Sequence, residues 1–207
     1  MDPNRKTAFQ TLLAIDEERA YSNLALNHLI AQNQPSSPGL VRELVYGVLK
    51  NQIILDHQIS HYLRTPISKV DPKALLILRM GFYQLGMLSG IPAYAAINES
   101  VLLAKKFCHG QDRFVNGVLR NYARRREDVS LPSREKDPVQ YLSLRYSFPI
   151  WLVRFWLEQF DPVECEQLLS ASNQQPPMTI RTNLLCTTRK ELKEVLEEQG
   201  FQVREGV

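Results

Sequence analysis

The stretch that most constrains the fold is DPKALLILRMGFYQLGML, Asp71 to Leu88. Asp71 can accept backbone N–H bonds as an N-cap, and Pro72 suits the first helical position, where its missing N–H costs nothing. Leu75, Leu76, Ile77, Leu78, Met80, Phe82, Tyr83, Leu85, Met87 and Leu88 cover nearly every direction around a helix, interrupted by Lys73, Arg79 and Gln84. A helix apolar all round is the centre of a bundle. Gly81 and Gly86 weaken such a helix, so close packing by neighbours is the expected reason for both. The stretch is too short and too charged to span a bilayer. It predicts the core helix of a mainly α domain.

The flanking segments supply the helices that would surround it. Asp2-Pro3 opens a first helix burying Ala8, Phe9, Leu12, Leu13 and Ile15, and Ser22 is read as the cap of a second, with Ala25, Leu26, Leu29 and Ile30 at helical spacing. Gln32 to Gly39 is a Pro/Ser/Gly loop. Leu40 to Leu63 is helical in two stripes, Val41, Leu44, Val45, Val48 and Leu49, then Leu55, Ile59, Tyr62 and Leu63, with a bend near Asn51. After the central helix come Ala95 to Phe107, and a last helix from Asp112 that buries Phe114, Val115, Val118, Leu119 and Tyr122.

Glu127 to Pro138 is polar and proline-punctuated, which places a domain boundary there. Asp137-Pro138 and Asp161-Pro162 repeat the cap signal around a Trp/Phe-rich helix carrying Trp151, Leu152, Phe155, Trp156 and Phe160. From Met178 the period changes: MTIRTNL alternates as a strand, Thr188 and Glu191 form a capping box, Gly200 suits a helix end, and FQVRE alternates again. This predicts three parts: residues 1–130, a helical domain; 131–173, a helical connector; and 174–207, an incomplete α/β subdomain whose strands lack partners. The expectation is a fragment of a longer protein.

Charge and chemistry narrow the function. Residues 1–130 carry 16 Lys and Arg against 11 Asp and Glu, whereas residues 131–207 carry 9 against 11, so the basic excess belongs to the first part. Met1 to Ile15 has no apolar signal core, and Cys108, Cys165 and Cys186 have no CxxC spacing, so a reducing cytoplasm is expected, with no metal framework. His57 and His61 stand four apart beside Asp56 but lack a third ligand, and a structural or surface role is expected for them. There is no GxGxxG, P-loop or GxSxG, and no cysteine in the electropositive niche a nucleophile needs. What stands out is a basic constellation: Arg5 and Lys6 at one helix start, Lys105 and Lys106 at a helix end, then Arg113, Arg120, Arg124, Arg125 and Arg126. Lysines at a helix C-terminus complement its dipole, but the arginine run added to them points to phosphate.

RELVYGVLKNQIILDHQIS (Arg42–Ser60), LRMGFYQLGML (Leu78–Leu88), IPAYAAINESVLLAK (Ile91–Lys105) and RFVNGVLRNYAR (Arg113–Arg124) resemble the NusB-like all-helical RNA-binding domain, over about residues 3–127. YSFPIWLVRFWLEQF (Tyr146–Phe160) and NQQPPMTIRTN (Asn173–Asn183) resemble the connector and small α/β subdomain of the RsmB (Sun, Fmu) family, cytosine-5 methyltransferases of 16S, small-subunit ribosomal RNA. The resemblance implies an RNA-binding N-terminal region, inactive alone, and a monomer, with small-subunit ribosomal RNA as its partner. It also implies S-adenosylmethionine and two catalytic cysteines in a Rossmann domain whose motifs do not occur in this chain. By the same resemblance Arg5 and Arg181 face RNA. Two readings compete: a NusB-type transcription antitermination module, and a helical interaction module whose basic face is incidental. Steep salt dependence of RNA binding separates the last from the others.

Overall fold

The computed structural model describes residues 1–125, 129–174, 176 and 178–204. They divide into two compact units, Met1–Ser170 and Ala171–Val207. The first begins with helices α1 (Pro3–Glu18), α2 (Ser22–Asn33), α3 (Pro38–Lys50) and α4 (Gln52–Tyr62), followed by a 3-10 turn at Ile67–Lys69. Then come α5 (Pro72–Gly86), α6 (Ala93–Phe107), α7 (Asp112–Arg125), α8 (Pro138–Tyr146), α9 (Ile150–Leu157) and α10 (Pro162–Ser172).

One local device starts five of these ten helices. Asp2, Ser37, Asp71 and Asp137 each accept a backbone N–H with the side chain, and each is followed by proline. Asp161 likewise accepts from the N–H groups of Val163 and Glu164, ahead of α10. Such a cap stabilises a helix by about 1 kcal/mol. The expected cap at Ser22 is displaced: Ser22 is the first residue of α2, its N-cap is Tyr21, and no side chain caps it. The expected bend is a break at Asn51, whose side-chain amide donates to the Gly47 carbonyl at 2.8 Å, separating α3 from α4.

α5 is the centre, buried without interruption from Leu76 to Gln84 and packed against α1, α3, α4, α6 and α7. Its polar residues are satisfied inside. Arg79 makes a bidentate pair with Asp56 of α4 at 2.7 and 2.8 Å, and Gln84 accepts from Arg5 Nε at 2.7 Å while donating to the Met80 carbonyl. The Tyr83 hydroxyl donates to Glu43, and burial beside that carboxylate pushes its pKa up. Glycine in a helix interior costs about 1 kcal/mol relative to alanine. Gly81 and Gly86 sit where an added Cβ would run into Leu119 and Tyr122, which lets α7 lie close to α5. Phe82 and Tyr122 stack there with ring centroids 4.0 Å apart.

Helices α8 to α10 build a smaller core of Leu142, Val153, Cys165 and Leu169, flanked by Phe148 and Trp156. They rest on the bundle through α4 and α8, where Ser147 Oγ accepts from the Ile53 N–H at 3.1 Å.

The second unit holds α11 (Arg189–Glu198), started by the expected capping box of Thr188 and Glu191, with Gly200 in the left-handed region behind it. The strands expected at 178–184 and 201–205 are corrected: among the described residues neither segment forms a strand, and Glu205 lies outside them. Alternation sets which side chains share a face, but a strand exists only where a second backbone takes up its N–H and C=O groups.

Candidate nucleic-acid interface

α6 and α7 form an antiparallel hairpin. α6 ends at Phe107, and the chain reverses through Gly110, whose φ of +75° is a conformation that favours glycine. α7 turns Val115, Val118, Leu119 and Tyr122 into the core. Arg113, Gly117, Arg120 and Arg124 fall within about 60° of one another on the opposite side, at 3.6 residues per turn. All four are exposed. Arg120 Nε donates to Asn116 Oδ1 at 3.1 Å, which orients its guanidinium. Among the described residues no carboxylate lies within ion-pairing distance of Arg113, Arg120 or Arg124. An arginine row with no acidic partner is an electrostatic seat for phosphate.

Lys105 and Lys106 project from the last turn of α6, both exposed, with Lys106 Nζ 5.7 Å from the Phe107 ring centroid. The start of α1 lies alongside this half of α6, because the Asp2 N–H donates to Glu99 and the Phe9 and Phe107 rings meet at 4.9 Å. Lys6, half-buried, therefore belongs to the same end of the bundle. Arg5 has another use. Its side chain is 12% exposed; Nε donates to Gln84 and ties α1 to α5, while Nη1 pairs with Asp2 at 2.6 Å at its own helix start.

Arg125 is exposed, and its backbone carbonyl accepts from the Tyr62 hydroxyl. Arg126 lies outside the described residues. Arg181 is exposed in the second unit, in a surface depression formed by residues 181–185 alone. Sequence reasoning passed over Tyr94, 77% exposed at the start of α6. By spacing it stands with the apolar Ile97 and Val101, at i+3 and i+7, but α6 buries Ala96, Ser100, Leu103 and Ala104 instead, which turns Tyr94 outward.

The other chemical candidates are occupied. Both oxygens of Asp56 bind Arg79, His57 Nε2 sits 3.4 Å from the Ser130 carbonyl, and His61 packs edge-on against Tyr62. Cys108 is buried, and burial, with Asp71 nearby, pushes its thiol up to about 11. Burial also raises Cys165, with Glu166 adding to it. Neither is the low-pKa thiolate that nucleophilic chemistry needs. No helix among the described residues is long and apolar enough to cross a membrane.

Residues 2–124 match the NusB family. The chain belongs to the NusB family. Beyond that NusB domain, residues 148–207 match the RsmF/B-like methyltransferase ferredoxin-like domain. Among the relatives, the probable ribosomal RNA small subunit methyltransferase B of Bacillus subtilis is 37% identical over 98% of this chain and 45% of its own length. The Synechocystis protein of the same description is 37% identical over 94% of this chain and 44% of its own length. Ribosomal RNA small subunit methyltransferase B of Pseudomonas putida is 32% identical over 97% and 44%. The chain thus spans less than half the length of these curated relatives. A chain from the "Crystal Structure of a Plectonemic RNA Supercoil" superposes with a TM-score of 0.57 at 21% identity, covering 62% of this chain and 96% of that one. At that identity the likeness shows the fold alone.

Proposed function

We propose that this NusB-family chain is the RNA-binding N-terminal region of a small-subunit ribosomal RNA cytosine-5 methyltransferase, and that it holds ribosomal RNA for methyl transfer carried out elsewhere in the protein. The observation that carries the reading is the α7 row Arg113, Arg120 and Arg124, exposed and without acidic partners among the described residues, in a chain aligned along nearly its whole length with such methyltransferases. Lys105, Lys106, Lys6 and Arg125 extend the basic surface, Tyr94 offers a ring on which a base can stack, and Arg181 adds a contact from the second unit. Arg126 continues the run in sequence.

In this reading residues 1–130 bind RNA, 131–173 connect, and 174–207 lead into the methyltransferase part. S-adenosylmethionine supplies the methyl group in the whole protein. The residues present do not fit that cofactor, because the Gly-rich turn that would hold it does not occur in this chain. What the chain contributes is positioning, which lowers a barrier by removing the entropy of bringing substrate to the reacting groups. The protein acts as a monomer in the cytoplasm. The match of residues 148–207 to a methyltransferase subdomain weighs against an antitermination module.

The test is binding of this chain to a small-subunit ribosomal RNA hairpin across a salt series. Binding is expected to weaken steeply with salt, and replacing Arg113, Arg120 and Arg124 with Ala should flatten the log–log slope by about 2–3. No binding at low salt would overturn the reading.

A further inference from the structure

Gly117 sits in the interior of α7, yet nothing in the fold requires a glycine there. Three other helical glycines have a packing reason: a Cβ at Gly47, Gly81 or Gly86 would collide with Tyr83, Leu119 or Tyr122. At Gly117 an added Cβ would meet nothing within 4 Å, and its φ is not in the left-handed region. Gly39 is equally open but lies in the first turn of α3, where an interior-helix penalty does not apply. A helix thus keeps its least favourable non-proline residue at a position that faces solvent. Glycine has one further use, which is to let a ligand approach the backbone closely.

The surroundings say what that ligand is. Gly117 lies between Arg113, one turn before it, and Arg120, one turn after it, with Arg124 a turn further along the same side. Arg120 is braced by Asn116 through Nε, which leaves both Nη groups for an acceptor outside the chain. The other exposed residues of α7 are Asn121, Ala123 and Arg125, so the helix lacks the apolar centre that a protein partner would bury.

We infer that Gly117 is the point of closest approach for an RNA backbone laid across α7, its phosphates taken by Arg113 on one side and by Arg120 and Arg124 on the other. The inference deepens the RNA-binding reading and rests on it. A side chain at 117 would hold the strand off the helix and lengthen the hydrogen bonds of both flanking arginines.

The experiment compares Gly117→Ala and Gly117→Gln with the unaltered chain in two measurements, thermal unfolding and binding to a labelled small-subunit ribosomal RNA hairpin at low salt. The two readouts should move in opposite directions. Tm is expected to rise by about 2–4 °C for Gly117→Ala, because a helix penalty is removed. RNA affinity should fall about 3-fold for Ala and about 10-fold for Gln, because the longer side chain keeps the phosphates further from the arginines. A lower Tm for Gly117→Ala would mean that the glycine serves the fold, and would overturn the inference. Unchanged affinity in both variants, while Arg120→Ala weakens binding, would overturn the inference and leave the RNA surface standing. If the unaltered chain fails to bind, the underlying reading falls, and the inference with it.

Discussion

α5 and α11 begin alike and end differently. Each is started by a side-chain oxygen at its N-cap, Asp71 for one and Thr188 for the other, and each carries an apolar pattern at helical spacing. α5 is buried from Leu76 to Gln84 and packed by five helices, whereas α11 has no buried residue in its unit. Local signals thus suffice to start a helix and give its direction, but stability comes from the apolar surface that neighbours remove from water. The first unit supplies neighbours on every side of α5. In the second, Val195 is 48% exposed, and α11 rests mainly on its capping box.

The sharpest way to break this contrast is to remove one buried and one exposed side chain of similar character. Phe82→Ala should cost about 3–5 kcal/mol, since Phe82 is fully buried and stacked on Tyr122. Val195→Ala, at an exposed position of α11, should cost less than about 1 kcal/mol. Urea unfolding followed by far-ultraviolet circular dichroism reads both, and equal costs would contradict the picture.

The cysteines provide a second, smaller contrast. Cys186 in the second unit is exposed, while Cys108 and Cys165 in the first are buried. An alkylating reagent at neutral pH should therefore modify Cys186 and spare the other two until the first unit unfolds, as mass spectrometry of the labelled peptides would show. The Cys108 thiol also sets a sign for alkaline pH. Its folded pKa of about 11 lies above the ordinary value of 9.0, because burial disfavours the thiolate. The unfolded chain gives up that proton first. Stability from this group is complete below pH 9 and declines as pH rises towards 11. In Cys108→Ala that part of the alkaline decline should vanish from the Tm–pH curve.

The most local expected effect belongs to the capping box. Thr188→Ala removes the hydroxyl that accepts from the Glu191 N–H, at a cost of about 1 kcal/mol to α11. Glu191, whose carboxyl is held below its usual range by hydrogen bonds from the backbone N–H of Thr188 and the Thr187 hydroxyl, keeps both of those bonds. Amide exchange in α11 should quicken, with the first unit unchanged. Slowed exchange would show that α11 is held by something other than its cap.

Much of the first unit was legible in the chain. The all-round apolar pattern of α5 named the central helix, and the repeated cap–proline pairs named where helices begin. The arginine run of Arg113, Arg120, Arg124, Arg125 and Arg126 lies off the apolar stripe of α7 by spacing, and the first four are exposed. Less legible was the use of residues that serve two ends equally well. Arg5 reads as a basic surface residue, but Asp2 lies within its own turn and Gln84 comes from α5, so its guanidinium is committed inward. Asp56 beside His57 and His61 has the spacing of a ligand set, yet both its oxygens serve Arg79, a partner 23 residues away that no local pattern indicates. Tyr94 was hidden in an alanine-rich helix start, where propensity says nothing about which side faces water.

The sequence by itself determined the helical periods, the caps, the break at Asn51 and the basic bias of the first part, because each depends on residues within one or two turns. Only the tertiary structure decided which charges are inward and paired, which glycines are packed and which stand open, and that 178–184 remains without a strand partner among the described residues. Those outcomes depend on groups far apart in the chain, whose desolvation and pairing exist only once the helices have closed around α5.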